Sequence, residues 1–131
     1  MVRVVDGDTI RVALPRGEQT VRYIGVDTPE SVKPDSPVEC FGARAAAFNR
    51  RLVEGERVRL TTDVERRDRF GRLLAYVHRA RDGLFVNAEL VRRGYATAYT
   101  VPPNVARARE LRRLAAAARE NGVGLWSRCL R

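Results

Sequence analysis

The sequence predicts an α+β fold, mainly β: a five-stranded Greek-key barrel of the OB type with three helices. Five short runs rich in Val, Ile, Leu and Tyr alternate with three segments of helical spacing. The chain is small and basic, and its 131 residues suit one compact domain over 1–131, with no room for two. Pattern alone leaves the OB barrel as one option among several small α+β folds.

Met1 to Leu14 alternates Val and Ile with polar residues and is interrupted by Asp6-Gly7-Asp8, so it reads as two strands joined by a bend. Pro15 to Glu18 is a turn, and Gln19 to Val26 is a third strand ending at Asp27-Thr28-Pro29-Glu30. Ser31 to Glu39 holds two prolines and no periodicity, which predicts a surface loop. Ala43 to Val53 is helical, with Ala46, Ala47, Leu52 and Val53 among its apolar positions, and Gly55 ends it. Arg57 to Asp63 and Leu73 to Arg79 read as strands around a charged turn, Glu65 to Arg72. Phe85 to Arg93 has helical spacing and stops at Gly94. Tyr95 to Tyr99 is short and extended; Pro102-Pro103-Asn104 then breaks the chain before a last helix from Val105 to Glu120. Trp126 is expected to close the fold as a core anchor, with Tyr76 and Tyr95 also in the core.

Apolar residues form 44% of the chain, enough for a core, and no run approaches the roughly 18 residues that span a bilayer. The formal net charge is +9, from 25 Lys+Arg against 16 Asp+Glu, and Lys33 is the only lysine. An excess made of arginine, with its planar fork of donors, suits phosphate oxygens and points to nucleic acid as partner. A codon bias toward arginine accounts for the same composition, so charge suggests a partner and no chemistry.

Cys40 and Cys129 belong to no CxxC or Cys/His cluster, and His78 is the only histidine, so a Cys/His zinc site cannot be assembled. Two cysteines allow one bridge or two independent thiols. We expect the bridge, and with it an oxidising compartment. Met1-Val2-Arg3 runs straight into a strand pattern with no visible signal peptide. The expectation is a secreted or extracytoplasmic mature domain preceded by an initiator Met, with a cytoplasmic protein as the alternative.

Three acidic residues stand out. Asp8 follows the first bend, and Asp27 and Glu30 flank the end of the third strand. A meander of the first three strands would bring these carboxylates to one end of the sheet, where an all-oxygen cluster selects Ca²⁺, Mg²⁺ or Mn²⁺. Taken singly, each is an ordinary turn or cap residue. Arg22 lies five residues before Asp27 in the same strand, and Arg72 ends the charged turn. Two guanidiniums beside a carboxylate-bound metal make a phosphodiester site, whereas a solvated strand-edge arginine would look the same in sequence. His78, alone in mid-strand, offers no nucleophile system, so hydrolysis would use activated water.

Val5-Asp6-Gly7-Asp8-Thr9, Val21 to Glu30 (VRYIGVDTPE), Asp68 to Tyr76 (DRFGRLLAY), Asn87 to Val91 (NAELV) and Gly124 to Ser127 (GLWS) resemble the staphylococcal-nuclease, or thermonuclease, family. The likeness covers essentially the whole chain, with the motifs in family order. It implies an OB-fold barrel with three helices and a Ca²⁺-dependent phosphodiesterase acting on DNA and RNA, leaving 3′-phosphorylated fragments. By that resemblance Asp8, Asp27 and the main-chain carbonyl of Thr28 would bind Ca²⁺. Glu30 would act as general base or orient the attacking water. Arg22 and Arg72 would bind the scissile phosphate, Arg72 assisting the leaving 5′-oxygen.

The substrate groove departs from the family pattern. Arg69-Phe70 stands where the family has Lys-Tyr, keeping cation and ring without the phenol hydroxyl. Tyr99 matches one of two pocket tyrosines, and Val101 occupies the place of the other. A stacking ring contributes about 1–3 kcal/mol per base, so its loss predicts weaker nucleotide binding with the chemistry intact. The charged turn is also one residue shorter. Arg69, Phe70 and Tyr99 are the expected substrate contacts, with single-stranded or locally melted nucleic acid favoured and a monomer expected. The alternative is a non-catalytic nucleic-acid-binding module of the same fold; retention of Asp8, Asp27 and Glu30 favours the enzyme. A purely structural domain explains neither the acids nor the paired arginines.

Overall fold

The computed structural model describes residues 1–29 and 40–129. The Ser31 to Glu39 loop and Glu30 therefore lie outside the described residues. The chain runs β1 (Val2–Asp6), β2 (Thr9–Leu14), β3 (Gly17–Tyr23), β4 (Val26–Asp27), α1 (Gly42–Val53), β5 (Val58–Thr61), β6 (Leu73–Arg79), α2 (Val86–Arg92), β7 (Thr97–Ala98), α3 (Ala108–Glu120) and α4 (Leu125–Arg128). Five strands form one sheet in the order β1-β2-β3-β6-β5, with β3 and β6 parallel and the other neighbours antiparallel. This is the OB-like α+β fold expected from the strand pattern.

Two features of the expected barrel are corrected. The sheet is not closed by a ladder between β1 and β5. Two main-chain hydrogen bonds bring its edges together instead: Val2 N–H to the Glu56 carbonyl at 3.1 Å and Gly55 N–H to the Val2 carbonyl at 2.9 Å. Among the described residues there are four helices rather than three, the fourth being the single turn α4. In that turn Leu125 is the buried residue, while Trp126 is half-buried beside the Arg119 guanidinium, 5.7 Å from its ring centroid. Tyr76 is buried as expected; Tyr95 is half-buried and stacks on Phe48 with centroids 4.1 Å apart.

The core lies between the inner face of the sheet and helices α1, α2 and α3. Ile10, Val21, Val77, Val86, Leu90 and Leu111 are fully buried there, each contributing about 1.5–3 kcal/mol of transfer free energy. Helix α1 faces it with Ala45, Ala46, Phe48, Asn49, Leu52 and Val53; Ala47, read as apolar face, is exposed.

The third strand does not run through to Val26. It stops at Tyr23, turns at Ile24-Gly25, and resumes as β4, which pairs with β7 instead of the main sheet. Gly25 sets the break: its φ is +83°, and a Cβ there would lie 2.5 Å from Leu111 Cδ1. The break swings Asp27 and Thr28 toward the β1–β2 bend.

Cys40, at the entry to α1, is bonded to Cys129, with Cα atoms 5.9 Å apart across a separation of 89 residues. Closing a loop of that length constrains the unfolded chain by about 4–5 kcal/mol in the chain-entropy model. Among the described residues no helix is long and apolar enough to cross a membrane.

Candidate active site

The β1–β2 bend is held from behind by a buried polar chain. The Tyr23 hydroxyl donates to Asn49 Oδ1 at 2.7 Å, and Asn49 Nδ2 donates to the Asp6 carbonyl at 2.9 Å. Asp6 Oδ1 accepts from the Gly7 N–H at 2.8 Å, and Tyr23 N–H donates to the Asp8 carbonyl at 3.0 Å. Burial pushes the Tyr23 phenol far above its ordinary pKa, so it remains a donor. Gly7 is required by close approach, since a Cβ there would lie 2.6 Å from Thr28 Oγ1 and 2.9 Å from Ala45 Cβ. Asn49 was not singled out from sequence. The available signal was an amide inside the apolar stripe of α1.

On the front of this bend the Asp8 carboxylate is buried. Its Oδ2 accepts from the Thr28 N–H at 3.0 Å, and its Oδ1 accepts from Thr9 Oγ1 at 3.0 Å. Arg22 reaches it from β3, with Nη2 at 3.4 Å from Asp8 Oδ2 and 3.1 Å from Asp27 Oδ1. Arg22 Nη1 donates to the Tyr23 and Val26 carbonyls, each at 2.8 Å. The strand break thus supplies the two carbonyls that grip the guanidinium. Asp8 and Asp27, two of the three carboxylates the meander was expected to gather, meet here through Arg22 with Thr28 beside Asp8; the third, Glu30, lies outside the described residues.

The trio of one guanidinium and two carboxylates is net negative. Its oxygens, together with Thr28, form a hard donor set. Thr28 Oγ1 is buried with no hydrogen-bond partner among the described residues. Oxygen-only donors and an unsatisfied buried hydroxyl suit a hard divalent cation, and no soft ligand is at hand for zinc. Among the described residues no group of three or more His, Cys, Asp or Glu is placed to hold a metal; the third acid of the expected set, Glu30, lies outside them.

Arg72 stands just before β6, two residues from Leu74, which is the register partner of Arg22 in the parallel β3–β6 pair. The period of two therefore puts both arginines on the same side of the sheet. Asp68 organises the turn: its Oδ1 accepts from the N–H groups of Phe70 (3.0 Å) and Arg72 (2.9 Å), and its Oδ2 from Arg72 Nε (2.7 Å). Partial burial pushes the Asp68 carboxyl up, but the Arg72 N–H and guanidinium and the Phe70 N–H together outweigh it and hold it below the ordinary range. The Phe70 ring, 70% exposed, is flanked by the guanidiniums of Arg69 at 4.9 Å and Arg72 at 5.5 Å.

Arg22, Arg69, Phe70, Arg72, Tyr99 and Val101 line one open cleft of about 680 Å³; Asp8, Asp27 and Thr28 are not among its lining residues, and the two carboxylates reach it through Arg22. Reciprocal bonds between Asn104 and the main chain of Glu65, at 2.8 and 2.9 Å, clamp two of the cleft-lining residues, 39 positions apart, to each other. That clamp was not anticipated from sequence. His78 does not line the cleft; it stacks on Phe85 with centroids 4.8 Å apart. Burial, then Arg59 and Arg107, lower its pKa and keep it neutral.

Residues 20–128 match the family model described as Staphylococcal nuclease homologue. The chain is 38% identical over 127 residues to "Thermonuclease" of Staphylococcus hyicus, covering 97% of this chain and 74% of that protein. It is 46% identical over 102 residues to "Thermonuclease" of Staphylococcus intermedius, covering 78% of this chain and 60% of that one. To "Endonuclease YncB" of Bacillus subtilis (strain 168) it is 40% identical over 128 residues, with 96% and 60% covered. The chain thus spans 60% of the length of two of these three relatives. By this match and these identities, the chain belongs to the staphylococcal nuclease homologue family.

Proposed function

We propose that the chain, as one domain over 1–131, is a nuclease that hydrolyses phosphodiester bonds of DNA and RNA, uses Ca²⁺, and leaves 3′-phosphorylated products. One observation carries this reading: the Arg22 guanidinium is shared by two carboxylates on one side and lines the cleft on the other. The names of the relatives, thermonuclease and endonuclease, point the same way. A bridged Cys40–Cys129 pair supports action outside the cytoplasm.

Asp8, Asp27 and the Thr28 carbonyl would hold the cation. When bound, it polarises a phosphoryl oxygen and lowers the cost of charge there. Arg22 meets the phosphate already oriented, because the Tyr23 and Val26 carbonyls fix Nη1 in place. Arg72 gives Nε to Asp68 and keeps its terminal nitrogens for phosphate oxygens, where it stabilises charge on the leaving 5′-oxygen. We assign Glu30 to the attacking water, as base or as its orienting acceptor. Phe70 and Tyr99 offer faces to bases, and Arg69 a charge to the neighbouring phosphate. Partly melted or single-stranded substrate fits a cleft that presents two exposed rings, Phe70 and Tyr99.

Digestion of denatured DNA with Ca²⁺ and with EGTA tests the reading. Cleavage in Ca²⁺ that stops with EGTA, and product ends that a 3′-phosphatase alters, are expected. Cleavage that survives complete chelation refutes the Ca²⁺ mechanism; binding with no cleavage under any divalent metal makes the chain a non-catalytic module.

A further inference from the structure

Helix α3 carries Arg109, Arg112 and Arg113 exposed on one face, at spacings of three and four residues. Like charges so spaced destabilise a helix unless an anion answers them. Glu110, the nearest acid in the helix, is taken by Arg107 at 2.6 Å. Among the described residues no ion pair involves Arg109, Arg112 or Arg113. The outer face of β1 and β2 differs, because Arg3 and Arg11 there both pair with Glu18.

The α3 face is also continuous with the cleft. Arg112 Nη1 donates to Thr100 Oγ1 at 3.1 Å, and Thr100 lies between Tyr99 and Val101, which line the cleft wall. Tyr99 and Val101, which flank Thr100, are themselves 54% and 50% exposed. Arg109 and Arg113 stand about 6 Å apart along the axis, a step comparable to that between phosphates of an extended strand.

We propose that Arg109, Arg112 and Arg113 form a phosphate-binding track for single-stranded nucleic acid that leaves the cleft past Tyr99. The track rests on the nuclease reading and extends it: substrate length is sensed by nucleotides that never touch the reacting phosphate. The chemistry is backbone recognition, sequence-independent and salt-sensitive.

The test compares wild type, Arg109→Ala/Arg113→Ala and Arg109→Lys/Arg113→Lys. Fluorescence anisotropy in EGTA measures binding of a labelled oligothymidylate trinucleotide and dodecanucleotide across a salt series. The alanine pair should lose most of the preference for the dodecanucleotide. Its slope of log affinity against log salt should be shallower by about 1.4, roughly 0.7 for each arginine removed, and the lysine pair should restore it. An unchanged slope and preference, an equal loss for both lengths, or no recovery with lysine would overturn the track. Wild-type cleavage of the dodecanucleotide in Ca²⁺ is followed in parallel. Absent cleavage with the slope change intact supports the track and refutes the hydrolase; cleavage with an unchanged slope overturns the track alone.

Discussion

At the scale of single residues, the two arginines of the site are held differently. Arg22 is locked by two carbonyls and two carboxylates and is only 15% exposed, so its replacement disturbs the fold as well as the chemistry. Arg72 has its ion pair with Asp68 and is 34% exposed, which makes it the cleaner probe. Arg72→Lys keeps the charge and loses the fork. Turnover of denatured DNA should fall about 10²–10³-fold, the cost of one donor to a developing oxyanion, while the thermal midpoint stays close to wild type. A turnover within a few-fold of wild type would remove Arg72 from the proposed chemistry.

At the scale of elements, the site depends on α1 as much as on the strands. Asn49 is fully buried and satisfies the Tyr23 hydroxyl and the Asp6 carbonyl at once. Asn49→Ala would leave both groups buried without their partner, at about 1–3 kcal/mol each. Denaturant unfolding should show a loss of about 2–6 kcal/mol in total, and a loss under about 1 kcal/mol would contradict the bracing role of α1. The approach of Asp8 and Asp27 was legible in the sequence because a meander with one bend and one strand end has few ways to place them; the placing of Arg22 between them was not, since a solvated strand-edge arginine has the same local pattern. Asn49 was not, since an isolated amide in an apolar stripe carries no partner in its local pattern. The break at Ile24-Gly25 was hidden by an unbroken strand-like run, and its cause, the approach of Leu111, comes from 86 residues away. Leu125 and Trp126 are neighbours in one turn, so composition alone does not say which turns inward. The open edge between β1 and β5 is likewise a property of three-dimensional approach.

At the scale of the whole molecule, the +9 charge is spread over ion-paired and solvated arginines with different roles. Several are spent on the fold, such as Arg79 with Asp82 and Arg81 with Glu56. Others line the cleft or face solvent on α3, where they attract a polyanion in a salt-dependent way. A basic surface draws nucleic acid to the chain without cutting it. The proposed hydrolysis is assigned to a small acidic exception within that basic shell, buried Asp8 and exposed Asp27 beside Arg22. Asp27 is the acid to change, because its side chain is 54% exposed and an asparagine oxygen can still accept from Arg22. The decisive measurement is the turnover of denatured DNA by Asp27→Asn in Ca²⁺. A folded variant slowed at least about 100-fold, equivalent to about 2.7 kcal/mol of transition-state stabilisation, is predicted; turnover equal to wild type at the same Ca²⁺ concentration would contradict the assignment of this cluster as the active site.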